Sequence, residues 1–146
     1  MSKLAVMPKN KEARPLEDWY QIMGIDELPE ELSVADREMF NYSVDYYTKE
    51  TYADAYQGFS TLATKGCAAS QYFLGVMYLK GYGVLQDFVQ SHVWFNIAAS
   101  KGYRKARSYL EKLTNQMSPD QIAEAQKKAR ELLESIDDDL NHSKID

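Results

Sequence analysis

Two helix-length stretches, residues 69–80 and 88–100, restrict the fold of this chain more than anything else in it, because each is apolar nearly all the way round. In the first, apolar side chains stand at 69, 72, 73, 74, 76, 77, 78 and 79; in the second, at 88, 89, 93, 94, 95, 97, 98 and 99. A helix resting on one core shows a single apolar stripe about 100° wide, so helices like these need neighbours on more than one side. Only a stack of helices supplies such neighbours. Shifting the chain against itself by 36 positions supports a stack: Phe59 falls on Phe95, Ala63 on Ala99, Lys65 on Lys101 and Gly66 on Gly102. Tyr52 likewise meets Phe88, and Leu74 meets Leu110. Self-similarity at this period is the signature of a helical solenoid. A further shift from Gly102 lands on Asp138, so the array ends near the C-terminus with one complete unit, a half-unit before it and a degenerate one after.

The punctuation between the stretches follows from backbone chemistry. Gly81 and Gly83 bracket Tyr82 where the first helix must stop and the chain reverse, and glycine enters positive φ without a Cβ clash. Asp87 stands where an N-cap belongs, with Gln90 three residues on. Ser118-Pro119-Asp120-Gln121 repeats that logic with a hydroxyl cap, proline at the first helical position and an amide at the third. Gly66 and Gly102 read as helix closers. Gly75, Ala98 and Ala99 would let neighbouring helices approach, while Trp94 and Tyr78 fill the space between. The glycine pair also suggests a phosphate-cradling loop, but the P-loop lysine and the full dinucleotide fingerprint are missing.

These residues resemble the Sel1-like repeats, relatives of the tetratricopeptide repeats. The resemblance rests on Ala68-Ala69-Ser70-Gln71-Tyr72, Leu74-Gly75, Tyr78, Gly81-Tyr82-Gly83-Val84, Asp87, Trp94, Ala98-Ala99 and Gly102. The run from Met117 to Gln126 looks like the closing helix of many bacterial members, so the likeness covers roughly Tyr52 to Glu134. It implies a small bacterial protein that is all-α: a short α/α solenoid with one complete Sel1-like repeat, partial repeats on either side and extra N-terminal helices. It further implies an adaptor or scaffold role without catalysis, with no cofactor.

Polarity marks the ends of the stack. Tyr103, Ala106, Leu110 and Leu113 form a single face, as do Ile122, Ala125, Ala129, Leu132, Leu133 and Ile136, which is the pattern of a C-terminal cap. On the other side Tyr52, Ala55, Tyr56, Phe59, Leu62 and Ala63 make one stripe. Ser33 is placed to cap a helix from about Val34 to Lys49, and Pro15 to open a short one with Leu16, Trp19, Tyr20 and Met23 at helical spacing. The expected organisation is therefore a mobile basic arm over residues 1–14, one helical domain over 15–136 and an acidic tail over 137–146. Within the domain, N-terminal helices take residues 15–50 and the repeat region 52–136.

Composition narrows the function. No apolar run approaches the roughly 20 residues needed to span a membrane, and Met1–Asn10 lacks the apolar core and cleavage site of a secretory signal. A lone cysteine, Cys67, forbids an intrachain disulfide and fits a reducing compartment, so a cytoplasmic location is expected. It also separates the chain from the cysteine-rich secreted relatives to which β-lactamase activity is attributed, weakening a hydrolase alternative. Its place near a helix N-terminus would favour a lowered pKa, yet no base stands beside it in the sequence and a packing role is expected. His92 and His142 are distant in sequence, with His92 expected in a surface groove; no metal-ligand spacing is present, and Asp137-Asp138-Asp139 reads as a frayed tail.

The net charge of −5 hides an uneven distribution: residues 16–60 carry two basic and eleven acidic groups, residues 61–135 ten basic and six acidic. An acidic front and a basic back would steer different partners or promote head-to-tail contact between copies, which leaves a homo-oligomer open. The basic cluster from Lys101 to Lys112 raises nucleic acid, but Arg104, Lys105 and Arg107 diverge around a helix and the whole chain is acidic, so no nucleic-acid partner is expected. Seven of the 11 tyrosines fall between Tyr20 and Tyr72, and tyrosine combines contact area with a polar tip. In the family's architecture the first helix of each repeat lines the concave face, which places Arg37, Phe73 and Tyr109 in one column with Tyr46, Lys80 and Lys112 nearby. These six are the expected contacts for a protein or peptide partner. An inhibitor or immunity protein for a toxin, covering a basic active site with the acidic front, is the alternative binding role.

Overall fold

A computed structural model describes residues 32–145, which hold six helices: α1 Val34–Thr48, α2 Tyr52–Thr64, α3 Ala68–Lys80, α4 Phe88–Ser100, α5 Arg104–Thr114 and α6 Pro119–Ile145. The expected arm over 1–14 and the short helix opening at Pro15 lie outside the described residues. Each helix packs on the next as far as α5, and α4 also packs along α6. The result is two successive helical hairpins, α1/α2 and α3/α4, with α5 and α6 both packed on α4. The half-unit expected ahead of the repeat thus has a helix in each position of its pair.

The chain-reversing signals act as their chemistry demands. The Asp36 N–H donates to Ser33 Oγ at 3.1 Å and the Gln90 N–H to Asp87 Oδ1 at 3.0 Å, starting α1 and α4. At α6 the capping box is reciprocal: the Gln121 N–H donates to Ser118 Oγ at 3.2 Å, and the Ser118 N–H to Gln121 Oε1 at 3.0 Å. Helix ends repeat at the period read from the sequence. The Cys67 N–H reaches back to the Leu62 carbonyl while Gly66 donates to Ala63, and 36 residues later Tyr103 and Gly102 make the same bonds to Ala98 and Ala99. This paired closure requires a left-handed residue, which Gly66 supplies at φ 93° and Gly102 at φ 90°. The α1 terminus uses the same bonds, Thr51 to Tyr46 and Glu50 to Tyr47, but forces Glu50 to φ 62°.

The two stretches that opened the sequence reading are the centre of the stack. Every residue of α3 from Ala69 to Met77 is buried, and in α4 only Asn96 among residues 91–99 keeps partial exposure. Gly75 is what lets them meet, since a Cβ there would stand 2.5–2.9 Å from the Phe95 ring. Ser91 reinforces the contact by donating its hydroxyl to the Gly75 carbonyl at 2.7 Å. Gln71, fully buried, donates to the Ala63 carbonyl at 3.0 Å and so ties α3 to the end of α2. Helix α6 does not stop at 136. Ile136 is buried and the half-buried Leu140 lies against Gly66 at the α2/α3 turn, so apolar contacts carry the helix through the acidic residues to Ile145.

Candidate surface for a partner

Helices α1, α3 and α5 carry the six expected contact residues, but the structure does not bring all six to a surface. Phe73 is corrected: at 1% exposure it is core. Its ring stacks on Phe59 at 4.4 Å and 6°, with Tyr47 edge-on at 5.1 Å and Phe40 at 6.1 Å. The reason is that two aromatic rings of α1, seven residues apart, lie against the same α3 residue. Tyr109, one period later, makes the corresponding stack on Phe95 at 5.2 Å and 18°, yet stays half-buried.

The remaining four differ in setting. Arg37 is half-buried and donates through Nε to the Leu32 carbonyl at 3.3 Å. Lys80 and Lys112 are exposed in the last turns of α3 and α5, where an ammonium also complements the negative end of the helix dipole. Tyr46 is half-buried; its hydroxyl is shielded from solvent and has no hydrogen-bond partner among the described residues. Burial, followed by the Asp54 and Asp45 carboxylates, pushes that phenol upward, so it stays a neutral donor.

Tyrosines other than the six expected contacts also converge on this column. Tyr47 lies over Phe73 and reaches the hydroxyl neighbourhood of Tyr82, Tyr52 and Tyr109, which together with its burial raise its pKa. Tyr72 is raised first by burial and then by Tyr109, Tyr103 and Tyr47. Tyr52 and Tyr82 stack at 4.5 Å and 6°. Phenols from α1, α3 and α5 therefore converge. The signal was present in Phe40 and Tyr47, a pair at helical spacing i, i+7 that belongs to one stripe. Tyr56 and Tyr78 form a separate bridge, hydroxyl to hydroxyl, at 2.8 Å.

Groups that might do chemistry are placed for packing. Cys67 is fully buried and burial pushes its thiol up, outweighing the Ser70 hydroxyl that donates to Sγ at 3.2 Å and pulls the other way. A helix-activated thiolate is not what this environment favours. His92 is corrected too: it does not sit in a surface groove but is 2% exposed between α4 and α5. Since the Thr114 hydroxyl donates to the Leu110 carbonyl at 2.7 Å, the 3.2 Å contact between His92 and Thr114 assigns the proton to Nε2. Nδ1 is then a buried acceptor without a partner among the described residues. A shallow groove of about 350 Å³ runs between α4 and α6, floored by Ile97, Ala129 and Leu133 and edged by Asn96, Ser100 and Arg130. Among the described residues no three metal-ligating side chains cluster, and no helix is long and apolar enough to cross a membrane.

With this geometry in place, the family model of the Sel1 repeat matches residues 68–103, which are α3, α4 and the turn that closes them. The chain carries a Sel1 repeat at its centre. No curated protein matches the chain. The matched residues of the Sel1-like repeat are those buried at the centre of the stack, and Sel1 repeats are generally protein-interaction modules without catalysis.

Proposed function

We propose that this Sel1-like repeat protein is a non-catalytic adaptor, cytoplasmic and bacterial, that holds a protein or peptide on the face formed by α1, α3 and α5. The observation carrying this reading is that Arg37, Tyr46 and Tyr109 stay half-exposed and Lys80 and Lys112 exposed on the three helices that the resemblance assigns to one face. Neutral phenols give contact area and hydrogen bonds at low entropic cost, while the cations select a partner carrying carboxylates. Helices fixed by a buried core keep the face preorganised, which limits what binding must order.

Affinity capture from native cells, repeated with Tyr109→Ala and Lys112→Glu, tests the assignment. Both variants keep the buried column at Phe73. Loss of a captured protein with both supports the face, and full retention with both rejects it. Salt titration adds a second check, because a carboxylate-selecting face weakens as ionic strength screens exposed charges.

A further inference from the structure

We propose that the groove between α4 and α6 is a second docking surface, which takes a short extended segment of a protein partner in which an aliphatic residue stands beside a carboxylate. It shares no residue with the α1/α3/α5 face, so one chain can hold two partners.

Polar groups without partners carry the argument. Asn96, half-buried on α4, and Gln126 and Arg130, exposed one turn apart on α6, border this groove of about 350 Å³, and the side chain of none of them makes a hydrogen bond or ion pair among the described residues. Ser100 donates its hydroxyl to the Ile97 carbonyl at 2.6 Å, which leaves its oxygen an acceptor on the rim. The floor between them is apolar, with Ile97 and Ala129 buried and Leu133 half-buried. Charge then sets the sign of the occupant. Among the described residues lining the groove none is acidic, and Arg130 alone is charged. A hollow on the other flank of α6 shows the contrast, because Glu131 stands there with Lys128, whose ammonium is already paired with Glu124 at 2.9 Å. Charge is balanced in that hollow and unbalanced in the groove.

The donor set defines what is recognised. A primary amide offers both a donor and an acceptor, so Asn96 on one wall and Gln126 on the other suit the C=O and N–H of a peptide unit lying between them. Arg130 presents a planar fork that matches a carboxylate. The floor removes an aliphatic side chain from water. From Gln126 to Leu133 a helix rises roughly 10 Å, the length of about three extended residues. Since α4 and α6 already pack on one another, the groove stands ready before anything binds. One guanidinium does not suit a nucleic-acid backbone, where several phosphates must be neutralised together.

Side-chain NMR signals report occupancy directly. When the full chain, labelled with nitrogen-15, is titrated with acetyl-Gly-Leu-Asp-Leu-Gly-amide, the amide signals of Asn96 and Gln126 and the Nε–H of Arg130 should move along one saturation curve. The same peptide with asparagine for aspartate should bind about two- to fivefold more weakly, the effect of losing an exposed ion pair. Arg130→Gln should erase that difference, and Gln126→Glu, which sets a carboxylate on the rim, should weaken the aspartate peptide by a similar factor. Both residues are exposed, so the backbone spectrum should show the fold intact. No movement of these three side chains at millimolar peptide, or equal affinity for the two peptides, overturns the proposal. Movement of the same signals on concentrating the protein alone also overturns it, because a second copy would then be the occupant. Peptide binding in the groove with full retention of captured protein by Tyr109→Ala and Lys112→Glu would keep this surface and reject the α1/α3/α5 face; loss of capture without peptide binding would do the reverse.

Discussion

Gly75→Ala isolates the contact on which the stack depends, because two effects of known sign oppose each other there. Inside a helix, alanine is favoured over glycine by about 0.8–1 kcal/mol, so propensity alone predicts a more stable protein. Packing predicts the opposite. The new methyl would stand 2.5 Å from Phe95 Cδ1, 2.6 Å from Cε1 and 2.9 Å from Cγ, distances a real Cβ does not tolerate. Relief requires the ring to move, yet Phe95 is fully buried and stacked on Tyr109 at 5.2 Å. Its only other route is separation of α3 from α4, which would break the Ser91 hydroxyl bond to the Gly75 carbonyl. Overpacking of this kind costs about 1–3 kcal/mol, and a rigid aromatic neighbour places it at the upper end. The net expectation is a loss of about 2 kcal/mol, a fall in Tm of roughly 4–8 °C for a chain of this length. Urea unfolding followed by far-UV circular dichroism measures it. Pairing the change with Phe95→Leu should recover part of the loss in a double-mutant cycle, since the smaller side chain vacates the space. An unchanged or raised midpoint for Gly75→Ala would show that the α3/α4 approach is looser than the structure has it, and would refute the reasoning.

Three further outcomes use the same measurements. Gly83→Ala and Gly102→Ala both place alanine at positive φ, but a Cβ at 83 meets Tyr52 Cβ at 2.9 Å and its backbone at 3.0 Å while one at 102 meets nothing within 4 Å; the first should cost about 2–3 kcal/mol and the second about 1, and equal losses would contradict the assigned clash. Glu50→Gly should stabilise by about 0.5–1 kcal/mol despite glycine's entropy, because Glu50 holds φ 62° at a turn where the other two repeats of this closure place glycine; destabilisation would mean its side chain makes a compensating contact. Burial lowers the His92 pKa, so the unfolded chain takes up a proton at mildly acidic pH that the folded chain resists. Stability from this group is accordingly present above its unfolded value near 6.5 and drains away as pH falls through and below it. In His92→Gln that part of the pH dependence should vanish from a series of urea melts between pH 7.5 and 5, and persistence of the same slope would assign it elsewhere.

Much of the architecture was legible from short-range chemistry. Ser33, Asp87 and Ser118 cap the helices that their residue types announce, and Gly66 and Gly102 close helices one period apart with identical hydrogen bonds. These signals involve side chains and backbone within five residues of each other, so sequence contains the whole interaction. The α6 end was not legible. Asp137-Asp138-Asp139 is a poor continuation by composition, and only Ile136 and Leu140, seated against distant parts of the stack, extend the helix through it.

The candidate face shows the same division. Residue spacing placed Arg37, Phe73 and Tyr109 in one column, and two of the three make equivalent stacks one period apart, Phe73 on Phe59 and Tyr109 on Phe95. Whether a member of the column is core or surface depends on what crosses it. Tyr47 and Phe40 cover Phe73, whereas α6, the helix after α5, packs along α4. His92 was misplaced for a related reason: a polar residue in an apolar helix reads as surface until a tertiary neighbour, here the Thr114 hydroxyl oxygen, accepts its hydrogen bond. The sequence by itself determined that this chain is a short helical repeat, because periodicity, caps and turn glycines are local or strictly periodic facts. Tertiary structure alone decided which of its tyrosines a partner can reach, because exposure belongs to the stacking of helices and not to any one of them.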